Sequence, residues 1–255
     1  IAKNAFAGSH NVNTYGNVKS VSFPSTLTEI GEDAFAFCTG ATIDIDQIIT
    51  ILKNNNSGIE NIDPTAFYQV RCVSCTMESS DNTAIIGLML GTQTANVTIN
   101  GRTLKKDGSW NTLCLPFDID LLAKNDNDEY ICPLNGAVIM EMDDTSDGTN
   151  LDSGTGVLKL KFKSIIGNEM THGKPYLVKW TKPDGYDDNP ESFDIVNPTF
   201  TGVTNIGNNL TVVTSKDGSV TFNGTYLPYT GSVEALLKES DNSTALDAFH
   251  AFVKV

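Results

Sequence analysis

A chain of 255 residues exceeds a typical single domain, so two domains are expected, each able to bury its own core. The 40% hydrophobic and 19% charged fractions are those of a globular protein, and no stretch approaches the roughly 20 apolar residues that cross a bilayer. With 17 Lys plus Arg against 31 Asp plus Glu, the net charge of -14 repels a phosphate backbone, which argues against nucleic acid as a partner.

The chain opens on Ile1-Ala2-Lys3-Asn4-Ala5-Phe6, and the same I-x-x-x-A-F word returns at Ile30 to Phe35 and at Ile62 to Phe67, about 30 residues apart. Leu27 and Ile59 each stand three residues ahead of the later copies. Such a word describes one coil of a solenoid: an apolar side chain points inward from a short strand, a turn follows, and Ala-Phe packs beneath the next coil. A single coil cannot bury its own apolar face, so neighbours must stack. The structural repeat positions are therefore Ile1, Ala5, Phe6, Leu27, Ile30, Ala34, Phe35, Ile59, Ile62, Ala66 and Phe67. Because the chain begins in mid-repeat, it reads as a piece of a longer protein, with any signal peptide or anchor cysteine upstream.

Between the copies, residues 18–24 and 41–45 alternate as strands do and are expected to supply rungs of a sheet. Residues 46–54, with Ile48, Ile49, Ile51 and Leu52, read as a helix capped by Asp44 or Asp46. The run from Phe23-Pro24 through Leu27, Ile30-Gly31, Ala34-Phe35 and on to Cys38 resembles the BspA-type leucine-rich repeats of bacterial surface proteins. The third copy departs from that pattern, with Asp63-Pro64 after Ile62 and no Cys after Phe67, as suits a terminal coil.

Cys72 and Cys75 form a lone C-x-x-C on a segment that reads as a strand, where positions three apart face opposite ways. With no second C-x-x-C and no nearby His, the five cysteines, Cys38, Cys72, Cys75, Cys114 and Cys132, read as buried apolar residues.

Beyond Cys75 the chain changes to short strands and turns. Residues 94–103 and 110–117 are expected as two strands around the Lys106-Asp107-Gly108 turn. Residues 157–163 alternate, with Leu158, Leu160 and Phe162 toward a core and Lys159, Lys161 and Lys163 toward water. Residues 176–180, 210–214, 220–222, 225–227 and 248–253 continue the strands, with Lys216-Asp217-Gly218 as a second turn and 233–238 briefly helical.

This region resembles the C-terminal domain that follows BspA-type repeats in gut and oral Bacteroides relatives, through Gly101 to Phe117, Gly173 to Trp180, Val196 to Val203 and Asp217 to Tyr226. The expected fold is mainly β: a short BspA-type leucine-rich-repeat solenoid over residues 1–76, then a β-sandwich-like antiparallel domain over 77–255.

Residues able to carry chemistry are few. The acidic run 143–152 crowds oxygen ligands into a loop, but Thr145 and Gly154 stand where an EF-hand wants Asp or Asn and the bidentate Glu. That run, like 125–129 and 186–191, reads as a solvated loop, and no metal or cofactor is expected. His10, His172 and His250 are the available imidazoles, and none sits in a catalytic motif. Trp110, Tyr176 and Trp180 lie on expected strands beside Leu and Val, which favours core packing over an aromatic platform.

The resemblance implies a non-catalytic protein, secreted or on the outer-membrane surface facing outward, that binds host or bacterial surface proteins through its repeat face. The alternatives are a glycan-binding surface module and a hydrolase accessory domain.

Overall fold

The computed structural model describes residues 1–8, 18–229 and 246–255. It is mainly strand with few helices. The expected helix over 233–238 and His10 lie outside the described residues.

In chain order the elements begin with β1 (Thr42–Asp44), α1 (Ile45–Asn54), β2 (Cys72–Met77), α2 (Thr83–Met89) and β3 (Thr94–Ile99). There follow β4 (Thr103–Leu104), β5 (Asn111–Cys114), β6 (Ile119–Asp120), β7 (Val138–Met142), β8 (Asn150–Asp152), β9 (Val157–Lys159) and β10 (Phe162–Ser164). The remainder are β11 (Glu169–Met170), β12 (Pro175–Lys179), β13 (Ile195–Val196), β14 (Thr199–Val203), β15 (Val213–Thr214), β16 (Thr221–Gly224) and β17 (Ala251–Lys254).

Two compact units result. The first gathers Ile1–Met77, Asn82–Ile99 and Thr199–Asn208. Its sheet runs β1-β2-β3-β14, with β1, β2 and β3 parallel and β14 antiparallel along β3. Parallel strands need a crossover between them, and α1 and α2 lie in those connections. Helix α1 forms where Asp44 accepts a hydrogen bond from the Gln47 N–H at 3.1 Å and where Ile45, Ile48 and Leu52 fall on one buried stripe. At its far end the Asn55 amide donates to the carbonyls of Ser25 (2.7 Å), Leu27 (3.0 Å) and Ile51 (3.0 Å), tying the helix to the preceding loop.

The second unit gathers Glu78–Asp81, Asn100–Pro198 and Asn209–Val255. Its sheets β10-β7-β12-β5 and β15-β16-β17 are antiparallel. Met142 and Leu177 from the first sheet meet Val213, Phe222 and Val253 from the second in one buried cluster, with Leu158, Leu160 and Phe162 packed against it.

Several local expectations change. Residues 18–24 carry no strand, and Pro24 there lacks a backbone donor for a ladder. The 94–103 and 110–117 segments do not pair with each other, because β3 pairs with β2 and β14 while β5 pairs with β12. The run 157–163 keeps its apolar side chains inward but divides into β9, paired with β8, and β10, paired with β7. At the division Thr149 Oγ1 exchanges hydrogen bonds with the Lys161 backbone, replacing a ladder rung. Residues 225–227 form no strand: Thr225 Oγ1 hydrogen-bonds the Leu227 backbone and folds the chain into a turn.

Candidate interaction face

The repeat positions meet in a regular stack. The Phe6 N–H donates to the Ala34 carbonyl, and one copy further on the Phe35 N–H donates to the Ala66 carbonyl, both at 2.8 Å. Ile30 and Ile62 form a parallel bridge, and the Gly31 N–H donates to the Ile1 carbonyl at 2.9 Å. The rings form one column, Phe6 to Phe35 at 5.2 Å and Phe35 to Phe67 at 6.1 Å, both stacked. Equivalent backbone turns recur as well, with positive φ at Asn4 and Asp33 and again at Phe37 and Gln69.

Burial grades along the column. Leu27, Ile30, Ala34, Phe35, Ile62, Ala66 and Phe67 are buried, Ile1 and Ile59 are half-buried, and Ala5 is exposed. Phe6 is 50% exposed, and among the described residues its stacked neighbour is Phe35.

From the stack the chain runs into the sheet of the first unit, whose two faces differ. Inward point Ile43, Val73, Cys75, Met77, Ala95, Val97 and Ile99, all buried. The opposite face carries Thr42 and Asp44 on β1, Ser74 and Thr76 on β2, Thr94, Asn96 and Thr98 on β3, and Thr199 and Thr201 on β14, all half-buried or exposed. Register aligns these into rows: Asp44, Ser74 and Asn96 lie side by side, and so do Thr76, Thr98 and Thr199. The Thr98 and Thr199 hydroxyls share a hydrogen bond at 2.9 Å, and Arg71 Nη2 donates to Thr42 Oγ1 at 2.9 Å. With strands about 4.8 Å apart and a rise of about 3.3 Å per residue, the grid measures roughly 15 by 20 Å. It offers hydroxyl, amide and carboxylate groups at regular spacing, which suits hydrogen-bonded recognition of an extended ligand.

The candidate imidazoles and acids among the described residues have defined partners. His172 Nδ1 and backbone N–H both meet Asp118 Oδ1, at 2.8 and 2.7 Å, which fixes a turn beside Gly173. His250 is packed against Arg102, with Thr112 Oγ1 at 3.2 Å from its Nδ1. Burial, reinforced by the Arg102 charge, lowers the His250 pKa to about 3, so its ring is neutral at physiological pH. Asp143 in the acidic run accepts from Ser146 and Thr145 and lies 3.2 Å from Lys161 Nζ, and those hydrogen bonds, Ser146 first, hold its carboxyl well below the usual range. Among the described residues no group of three or more His, Cys, Asp or Glu is placed to hold a metal ion.

All five cysteines are buried free thiols. Burial pushes Cys114 up to about 12 and Cys132 up to about 11. Cys72 and Cys75 fall on opposite faces of β2, and Cys75 Sγ lies 3.4 Å from Met89 Sδ in the interior. Trp180 is 5% exposed with its Nε1–H on the Asn135 carbonyl, and Trp110 packs against the core under the Lys179 ammonium. Tyr176 is buried, so these three aromatics form no exposed platform.

Sequence reasoning named the stacked positions but not the grid. The Thr and Asn alternation of β3 was a signal for it, whereas its alignment with β1, β2 and β14 depends on pairings across the chain. No family model, no curated protein and no solved structure matches the chain. The fold is that of a β-rich protein, and its first unit carries both a polar sheet face and a stack of phenylalanine rings.

Proposed function

We propose that the chain is a non-catalytic interaction protein of the BspA-like repeat type, secreted or displayed on a bacterial surface, in which a short solenoid precedes a sandwich-like β unit. Its partner is a surface protein of a host or of another bacterium, engaged through the polar grid of β1, β2, β3 and β14. The observation that carries this reading is the in-register row Asp44, Ser74 and Asn96 beside the row Thr76, Thr98 and Thr199, continuous with the stack of Phe6, Phe35 and Phe67. A rigid ladder of alternating hydrogen-bonding side chains recognises by area and complementarity, and asks for no nucleophile, base or metal.

Magnitude sets the expected strength. A face of roughly 300 Å² is well under the ~800 Å² that each partner contributes to a standard interface, so a single copy binds weakly and displayed arrays gain by avidity. The test is a binding screen of the chain, tethered at high density, against immobilised host matrix proteins and a glycan array, with and without EDTA. Retention on one or more proteins that survives EDTA and is lost in the double variant Ser74→Lys/Asn96→Lys supports the reading. Retention on glycans alone, or retention unaffected by that variant, overturns it.

A further inference from the structure

The second unit carries a different surface feature. Ile166 is 97% exposed at the tip of the loop between β10 and β11 and borders a hollow together with Leu122, which is 48% exposed. That hollow has a volume of about 390 Å³ and is lined by Asp120, Leu122, Ile166 and Glu169, and through Leu122, Gly167 and Asn168 it adjoins a second hollow of about 290 Å³. An aliphatic side chain left in water forgoes roughly 1.5–3 kcal/mol of burial, so an Ile this exposed beside a lined hollow marks a surface suited to a partner.

The rim holds two charges, and both are negative. Asp120 and Glu169 sit directly opposite each other across the β6–β11 pair. Like charges in that relation destabilise a sheet, because their Cβ atoms are only about 5 Å apart. Asp120 accepts from the Leu122 N–H at 2.9 Å, which orients its carboxylate. Among the described residues no lysine or arginine forms a salt bridge with either acid, and Lys124, the nearest in sequence, lies 2.8 Å from Asp128. A cation delivered between Asp120 and Glu169 relieves their repulsion at the same place where an apolar group covers Ile166 and Leu122.

We propose that this notch binds a polypeptide partner presenting a bulky aliphatic side chain near a lysine or arginine, the aliphatic group seated against Leu122 and Ile166 and the cation between Asp120 and Glu169. Charge selects this occupant over a second copy, since a chain of net charge -14 offers its own acidic rim little attraction. The site lies within the second unit and is independent of the polar grid, so either can fail alone.

The probe is the synthetic peptide Gly-Lys-Thr-Leu-Thr-Lys-Gly, titrated into the uniformly ¹⁵N-labelled chain while amide shifts are followed. Saturable shifts are expected at residues 120–122 and 165–169, weakening as salt is raised. Affinity falls about tenfold in Asp120→Asn/Glu169→Gln, where the amide oxygen replacing the Asp120 carboxylate still accepts from the Leu122 N–H, and separately in Leu122→Ser/Ile166→Ser. Peptides with serine for the leucine, or glutamate for both lysines, bind at least about tenfold more weakly. All four substitutions are at exposed positions, and an unchanged amide spectrum elsewhere verifies folding. The proposal is overturned by the absence of saturable shifts at these amides up to millimolar peptide, by equal affinity for the glutamate peptide, or by indifference to both variants. Peptide-independent, concentration-dependent shifts at the same amides would assign the notch to a second copy and overturn it as well.

Discussion

The Phe35 ring stacks on that of Phe67 at 6.1 Å and 26°, although the two residues belong to successive copies of the repeat. Phe35 is 1% exposed and also carries Phe6 on its other side, so it is the middle member of the column. Phe35→Ala therefore removes contacts in two directions and should cost about 3–5 kcal/mol, read as a fall in the urea midpoint of the first unit. Phe6→Ala, at the half-exposed end, should cost less than half as much. Equal costs for the two would show that the column is not the structural unit inferred from it.

Asn55 supports the same unit from the helix end. Its single amide nitrogen serves three carbonyls, those of Ser25, Leu27 and Ile51. Asn55→Ala leaves them without that donor and should cost about 1–3 kcal/mol. Asn55→Asp should be worse, since a carboxylate then faces carbonyl oxygens. A thermal melt of the two variants would contradict this account if the aspartate were the more stable.

In the second unit, His250 predicts an acid limb. Its folded pKa of about 3 lies below the ordinary 6.5, so the unfolded chain takes up a proton that the folded chain refuses. Stability from this group is complete above about pH 6.5, falls as the pH drops below that value, and levels off near pH 3. The linked loss is about 2 kcal/mol by pH 5. His250→Gln should remove that part of the slope while leaving the carboxylate contribution. Denaturant midpoints of both proteins at pH 7 and pH 5 decide the matter: parallel falls would mean that His250 is not the titrating group.

The thiols make a fourth test. All five are buried, and burial raises the pKa of Cys38, Cys75, Cys114 and Cys132. The folded chain should resist alkylation by iodoacetamide at pH 8 and gain five adducts once unfolded in denaturant, as counted by mass spectrometry. Rapid modification of Cys72 or Cys75 in the native protein would reopen a redox or metal role for that pair.

Close packing gives the last. A Cβ built on Gly224 would run into the Cys114 side chain, and Gly224 sits on β16 opposite Ala251. Gly224→Ala should cost about 1–3 kcal/mol through overpacking, visible as a lower thermal midpoint. Unchanged stability would mean that β5 and β16 can separate without penalty.

How much of this was legible depended on the reach of each interaction. The Ile and Ala-Phe word named Phe6, Phe35 and Phe67, which share one column, because residues that recur at a fixed spacing in sequence can be matched to one another without knowing the fold. Helix α1 was legible through Asp44 and its apolar spacing, both local signals. The pairing of β3 with β2 and β14 was not, since a strand's alternation says which residues share a face and nothing about which neighbour it joins. Helix α2, over Thr83–Met89, escaped notice because it is short and its N-cap Asn82 makes no side-chain cap hydrogen bond. The notch escaped for the same reason as the grid: Asp120, Leu122, Ile166 and Glu169 come together only in space.

By itself, then, the order of residues determined the recurring apolar word, the inward and outward faces of most strands and the burial of the cysteines. Tertiary structure alone decided which strands align, and therefore that Asp44, Ser74 and Asn96 form a row and that Asp120 confronts Glu169. The physical reason is that side-chain periodicity is a property of one segment, whereas register is a competition among all segments for hydrogen-bonding partners, settled by how the whole chain buries its apolar faces.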